Sequence, residues 1–175
     1  MMNKSELSVR DAMQFARHDF LNELQLILMH MDLNNVPDAR RKLLESTERM
    51  RSDSQISGLG MPALETWILT FDWNYLAFNK HLETKIAPRT AERLADDQAI
   101  VKVLDDLFQQ LINGADPYVD YTVDIIVTTT ADGWTVTLAL PGQTAPIAWI
   151  DVIENNWTAK MSRENEYWTF TIRGQ

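Results

Sequence analysis

Cysteine is absent from the 175 residues, and histidine occurs only three times. Without thiols, the chain has no disulfides, thiolate zinc sites, cysteine nucleophiles or thiol redox chemistry. No apolar run approaches the roughly 18 residues that mark a membrane-crossing helix, and no basic-then-apolar stretch opens the chain. The expectation is a soluble, cytoplasmic protein with no membrane partner. Cations are also in short supply: 16 Lys and Arg stand against 25 Asp and Glu, a net charge of −9. Nucleic-acid binding rests on neutralising phosphates with a Lys/Arg surface, so no nucleic-acid partner is expected. The deficit is unevenly placed. Residues 1–55 hold eight Lys/Arg against nine Asp/Glu (−1), and residues 56–175 hold eight against sixteen (−8).

What is present describes a folded chain. A hydrophobic share of 45% and a charged share of 23% are ordinary for a globular protein of one domain or two small units. The first 34 residues read as one long helix. Ser5 or Ser8 serves as its N-cap, and Asp11 follows Ser8 by three as in a capping box. Met13, Ala16, Phe20, Leu24, Ile27 and Met31 recur at spacings of three and four and hold one face. Leu21 and Leu28 widen that face on one side, while Phe15, Leu26 and Leu33 lie toward the other. This arc is broader than one partner helix covers. Asn34-Asn35-Val36-Pro37 breaks the helix, and a second is predicted from about Pro37 to Asp53. It turns Ala39, Leu43, Leu44 and Met50 inward and its charges outward. Two helices bury too little to fold alone, so two such hairpins are expected to pair as a dimeric four-helix bundle.

Beyond Ser57-Gly58-Leu59-Gly60 the pattern changes. A helix is predicted over Pro62–Asn79 and a short strand over Lys85–Pro88. Another helix runs from Asp96 or Asp97 to about Asn113-Gly114. Tyr121–Thr129 and Trp134–Leu140 alternate and are β-branched, with Ala131-Asp132-Gly133 as the hairpin turn between them. A short helix is expected over Ile147–Glu154, and a closing hairpin from Trp157–Met161 with Tyr167–Ile172. The fold class is α+β: a helical hairpin over 1–56, then an α+β unit over 57–175 with its helices on one face of a sheet.

With thiols gone, histidine is the nucleophile to consider. His30 and His81 stand alone without a second ligand at i+3 or i+4, which gives no metal site. His18 has a more telling setting. At about 100° per residue, Gln14, Asn22, Gln25 and Met29 lie within roughly 40° of it, opposite the Phe20-Leu24-Ile27 stripe. The imidazole therefore faces solvent on a polar ridge, with Arg17 and Asp19 beside it. An exposed imidazole on a rigid helix suits in-line attack on a bulky phosphoryl donor, and an adjacent carboxylate fixes the tautomer. By pattern alone, a solvated histidine on an amphipathic helix remains the plainer alternative.

The run Arg17-His18-Asp19-Phe20-Leu21-Asn22-Glu23-Leu24-Gln25-Leu26-Ile27 resembles the phospho-acceptor helix of the sporulation initiation phosphotransferase B-like family. It is similar also to the acceptor helix of citrate/fumarate-type sensor histidine kinases. The resemblance is strong over about residues 10–33, and the order of hairpin and α+β segment extends it along most of the chain. It implies that His18 is the phosphorylated residue and Asp19 its hydrogen-bonding neighbour. Asn22 would stand against the transferring phosphoryl group or its water, and Arg17 would offer a nearby cation. Gln14 and Gln25 would line the surface on which a partner docks, although simple helix surface explains Asn22 and Gln25 equally well. Phe15, Leu21 and Leu26 serve either docking or core packing.

In the kinases of that resemblance, an Asn-rich helix and Asp/Gly motifs around a lid hold ATP. Triphosphate needs close backbone approach and magnesium needs oxygen ligands. Here the corresponding helix carries Asp106 and Gln110 where asparagines would stand, and Leu140-Pro141-Gly142-Gln143 replaces the Asp-x-Gly motif. No Gly-x-Gly follows, and Gly142 is the last glycine before Gly174. The second part thus reads as a degenerate histidine-kinase-ATPase-like α/β sandwich. The expected activity is a phosphotransferase that shuttles phosphoryl groups between response-regulator receiver aspartates through His18. It would bind no cofactor of its own, with Mg2+ on the partner receiver domain. A non-catalytic dimeric adaptor and a divergent ATP-dependent histidine kinase are the alternatives.

Overall fold

The computed structural model describes residues 8–88, 91–131, 133–141, 149–164 and 167–175. The chain divides into two compact units, Met1–Arg51 and Ser52–Gln175.

The first unit is helical. Helix α1 spans Val9–Asp32, and Ser8 caps it by accepting the Asp11 N–H at 3.2 Å. Asn34 then adopts a positive φ of 53°, the left-handed conformation that asparagine tolerates better than most residues. Asn35 starts the next helix: its side-chain Oδ1 accepts the Asp38 N–H at 3.4 Å, and its side-chain Nδ2 donates to Asp38 Oδ2 at 2.5 Å. Helix α2 runs Val36–Ile56. Across the hairpin Arg49 pairs with Glu23. The two helices meet through few and mostly small side chains. Ala39 and Ser46 are buried on α2, Ile27 is half-buried on α1, and no residue of α1 is fully buried. Leu43, Leu44 and Met50, expected inside, are exposed at 51%, 57% and 46%. A two-helix hairpin has only one seam to offer, and the small residues occupy it.

The second unit takes in the last turn of α2, where Ser52 and Ile56 are buried. Helix α3 (Pro62–Leu69) starts where Gly60 takes φ 77°, and Glu65 Oε1 accepts the Gly60 and Met61 N–H groups at 2.7 and 3.1 Å. The chain then breaks at Thr70, forms the single turn α4 (Phe71–Asn74) and enters strand β1 (Phe78–Lys85). The helix expected over Pro62–Asn79 therefore ends early, and the strand expected over Lys85–Pro88 lies before that segment. Only Phe78 and Leu82 of β1 are buried, so its apolar spacing mimics a helix while its polar face meets solvent.

Helix α5 (Asp97–Gly114) is capped by Asp96, which accepts the Ala99 N–H at 3.1 Å. Strands β2 (Tyr121–Thr129), β3 (Trp134–Pro141), β5 (Trp157–Glu164) and β6 (Tyr167–Gly174) follow the alternation of the sequence. Between them lies β4, two residues long (Val152–Ile153), where a helix over Ile147–Glu154 was expected. Among the described residues it pairs only with β5, antiparallel, and the sheet edge overrides the short apolar run. Residues 147 and 148 of that expected helix, and Asp132 of the expected turn, lie outside the described residues.

The six strands form one sheet in the order β1-β2-β3-β6-β5-β4. The β1–β2 pair is parallel and the others antiparallel. Inward residues such as Val123, Val136, Leu138 and Ile172 meet Leu64, Ile68, Leu104 and Phe108 from the helices in one core. An aromatic cluster anchors it: Phe108 lies 4.9 Å from both Phe71 and Tyr75, and 5.5 Å from Phe78.

Candidate functional site

Because α1 runs unbroken over 24 residues, angular position alone decides which side chains share a face. His18 lies mid-helix with 70% of its side chain exposed, and Gln14, Asn22 and Gln25 are exposed around it. Its Nδ1 lies 3.1 Å from Asn22 Nδ2, one turn on, and 3.5 Å from Asp19 Oδ1. The ring is therefore held from one side, through Nδ1.

Of the two neighbours, Asn22 stands at hydrogen-bond distance and Asp19 at ion-pair distance. The spacing i, i+4 that brings Asn22 onto the ring is legible in sequence, since such pairs are surface neighbours on any helix. Arg17 lies on the flank about 100° away, and Phe15, Leu21 and Leu26 are exposed at 42%, 50% and 42%. All the candidate residues thus share one stretch of α1, and none is withdrawn into a core.

The other histidines are placed differently. His81 on β1 meets Asp124 of β2 through Nδ1, 2.9 Å from Oδ1, on the solvent side of the sheet. His30 is half-buried in the hairpin. Among the described residues no cluster of three or more His, Asp or Glu side chains could hold a metal ion.

On α5, the helix compared above with the nucleotide-binding helix of kinases, the carboxylates divide. Asp106 faces solvent, and its backbone carbonyl accepts from the Gln110 amide at 3.4 Å. Asp105 turns inward, where its Oδ1 accepts the Trp67 indole N–H at 3.0 Å and the Tyr75 hydroxyl in a short hydrogen bond. Burial, and next the hydrogen bond to Asp105, push the Tyr75 phenol well above its ordinary value of 10.0, so it remains a donor throughout the working range. The sequence reading missed this network because its three members lie up to 38 residues apart.

Comparison with known proteins bears first on the helices. Residues 2–59 match the family model described as Sensor kinase SpoOB-type, alpha-helical domain. No curated protein matches the chain in sequence. Among solved structures, the chain is similar to the Acinetobacter baumannii histidine kinase AdeS. That likeness has 12% identity, covers 90% of this chain and 97% of that one, and has a TM-score of 0.42. The catalytic domain of histidine kinase ThkA in a nucleotide-free form matches with 14% identity over 67% of this chain and 91% of that one, TM-score 0.42. ThkA in complex with the response regulator TrrA matches with 12% identity over 93% of this chain and 60% of that one, TM-score 0.43. No helix among the described residues is long and apolar enough to cross a membrane. The family match thus covers the helical segment that carries His18, about a third of the chain.

Proposed function

We propose that the protein is a histidine phosphotransferase of a phosphorelay, with His18 as phospho-acceptor. The carrying observation is an exposed imidazole held through Nδ1 on a helix of the SpoOB type. With a proton on Nδ1, accepted by Asp19 or by the Asn22 amide oxygen once that amide turns over, the Nε2 lone pair points away from the helix. The Nε2 atom attacks the phosphorus of an aspartyl phosphate on a response-regulator receiver domain. A P–N bond forms, the P–O bond to the carboxyl breaks, and the electron pair leaves on the aspartate. The reverse step delivers the group to a second receiver. Both species are high in energy, so no nucleotide is required. Mg2+ bound in the receiver's acidic pocket neutralises the phosphoryl oxygens. Arg17, one residue before His18 on α1, supplies the cation for the same oxygens in this reading, and Gln14, Phe15, Leu21 and Gln25 form the docking surface.

The active form is a homodimer built as a four-helix bundle. Phe20, Leu24 and Met31 of α1 are exposed at 46%, 38% and 56%, and Leu43 and Leu44 of α2 are exposed to a similar extent. A contiguous apolar surface of this extent calls for a partner, and a second copy offers the matching one. The α+β unit binds no nucleotide in this reading. The support is its charge of −8 over residues 56–175 and the carboxylate of Asp106 on the open face of α5.

The test is transfer from a phosphorylated receiver in the presence of magnesium. Acid-labile label on the protein, lost in His18→Ala, is expected. Label that survives the substitution overturns the assignment, and receiver binding without label replaces it with an adaptor. Label taken directly from ATP without any receiver would make the protein a kinase.

A further inference from the structure

The face of the sheet turned away from the helices carries a row of side chains fixed by strand register. Thr128 of β2 stands beside Thr135 of β3, Thr135 beside Arg173 of β6, and Arg173 beside Thr158 of β5. Lys85 of β1 adjoins Thr128 at the other end of the row. Thr128, Thr135, Thr158 and Arg173 line a cavity of about 400 Å³ at the end of the sheet, within the size range of small-molecule sites. The segment Glu154–Trp157 between β4 and β5 supplies another part of the lining, including the amides of Asn155 and Asn156.

Two glycines let the backbones at this end approach closely. A Cβ at Gly133 would stand 2.7 Å from the Gly174 carbonyl oxygen, and one at Gly174 would stand 2.6 Å from that of Asn156. The Asn156 amide is itself held, donating to the Leu94 carbonyl at 3.1 Å. This end of the sheet is therefore a tightly built wall.

Three observations describe what the wall would take. The exposed Arg173 makes no ion pair among the described residues, although the chain carries an excess of acids. The Trp134 indole N–H and the Thr158 hydroxyl, both in the lining, are buried without a hydrogen-bond partner. Buried donors left bare are uncommon, and each costs stability until something accepts from it. Threonine hydroxyls, two asparagine amides and one guanidinium form a donor-rich set, with Glu154 as its one acidic side chain among the described residues.

We propose that this cavity binds a small organic or inorganic oxyanion, a carboxylate or a phosphate, with Arg173 as its charge partner and Thr128, Thr135 and Thr158 as hydroxyl donors. Guanidinium matches both oxyanions through paired N–H groups, and hydroxyls between strands complete the shell. The site lies on the sheet and its function is independent of the role assigned to His18.

The test follows indole and asparagine side-chain NMR resonances of the full chain during titration with sodium phosphate and, separately, sodium acetate. Ionic strength is held constant with sodium chloride. A saturable shift of the Trp134 and Asn155 signals with either anion is expected, weakened at least tenfold in Arg173→Gln and more mildly in Thr158→Val. The anion that saturates identifies the ligand class. Shifts that grow linearly and match those from chloride, or a saturable shift unchanged in Arg173→Gln, overturn the proposal. Thermal unfolding of both variants at wild-type temperature confirms that a lost shift reports binding, since Arg173 lies on the surface.

Discussion

The two units differ in where they keep their apolar side chains. In the α+β unit they meet one another: Leu64, Ile68, Phe71, Leu104, Phe108, Val123, Leu138 and Ile172 are fully enclosed. In the helical hairpin they meet solvent, and only Ala39 among the hydrophobic residues of α1 and of α2 up to Arg51 is buried. Yet each unit holds a long helix with a side-chain cap, α1 of 24 residues behind Ser8 and α5 of 18 residues behind Asp96. Local structure is thus not what separates them. The sheet lets helices close over one face, whereas two helices side by side leave most of each circumference open. One unit encloses its own core, the other leaves its apolar residues exposed, and the candidate nucleophile lies on the second.

Breaking this comparison in the sheet unit should give the largest effect. Phe108→Ala removes the ring that touches Phe71, Tyr75, Phe78 and Trp67 and leaves a cavity among them. The expected loss is about 3–5 kcal/mol, read from denaturant unfolding followed by tryptophan fluorescence. Helical circular dichroism arising from the hairpin should persist past that transition. In the hairpin, Leu24→Asp places a charge in the exposed apolar stripe. The expected outcome is at least a hundredfold weaker self-association by sedimentation, with the unfolding midpoint of the sheet unit unmoved. A protein that is monomeric before the substitution would remove the bundle from the reading of His18.

A third, smaller effect concerns the polar group inside the sheet unit. Tyr75→Phe deletes the hydroxyl that donates to Asp105 and leaves that carboxylate only the Trp67 indole N–H among the bonds described above. The expected cost is about 1–3 kcal/mol. It carries a pH signature. The phenol is raised above its ordinary 10.0, so above that pH the unfolded chain releases a proton that the folded chain keeps. Stability from this residue is present below pH 10 and falls as pH rises beyond it, by at most about 1.4 kcal/mol per unit. Unfolding in alkaline buffers should show the slope in the wild type and a flatter one in Tyr75→Phe.

How much of this was legible in the residues depends on where each pattern is enforced. Strands β2 and β3 announce themselves because one face is buried and every second residue must be apolar, and α5 does so through its cap and periodicity. Strand β1 does not. As an edge strand it buries only Phe78 and Leu82, four apart, which is also a helical spacing, so a helix was read into its start. The two-residue β4 exists only because β5 offers it an edge, a tertiary fact with no local signal. Leu43, Leu44 and Met50 read as inward because amphipathicity tells which residues avoid water, and it does not say whether the partner lies in the same chain. His18 was visible because its neighbours lie on one helix at fixed angles. The cavity beside Arg173 was not, since its lining comes from Thr128 to Gln175 and is gathered only by strand register.

The smallest effect sharpens the comparison most finely. Ser8 accepts the Asp11 N–H at 3.2 Å and donates to Asp11 Oδ2 at 2.5 Å, a cap on a helix with no buried residue. Ser8→Ala should cost about 0.5–1 kcal/mol and raise amide exchange in the first turn of α1 by roughly two- to fivefold. His18 lies almost three turns further on, so acceptance of a phosphoryl group should be unchanged. The equivalent loss in the sheet unit behaves otherwise. The Ala63 N–H of α3 is capped by Asp97 Oδ2 at 2.8 Å, from the start of α5, so the cap joins two helices that share the core. Asp97→Ala should therefore lower the unfolding midpoint of the whole sheet unit, while Ser8→Ala stays local. A hairpin without a core of its own has no means of passing a frayed end along, and that locality keeps the surface around His18 intact while its helix breathes.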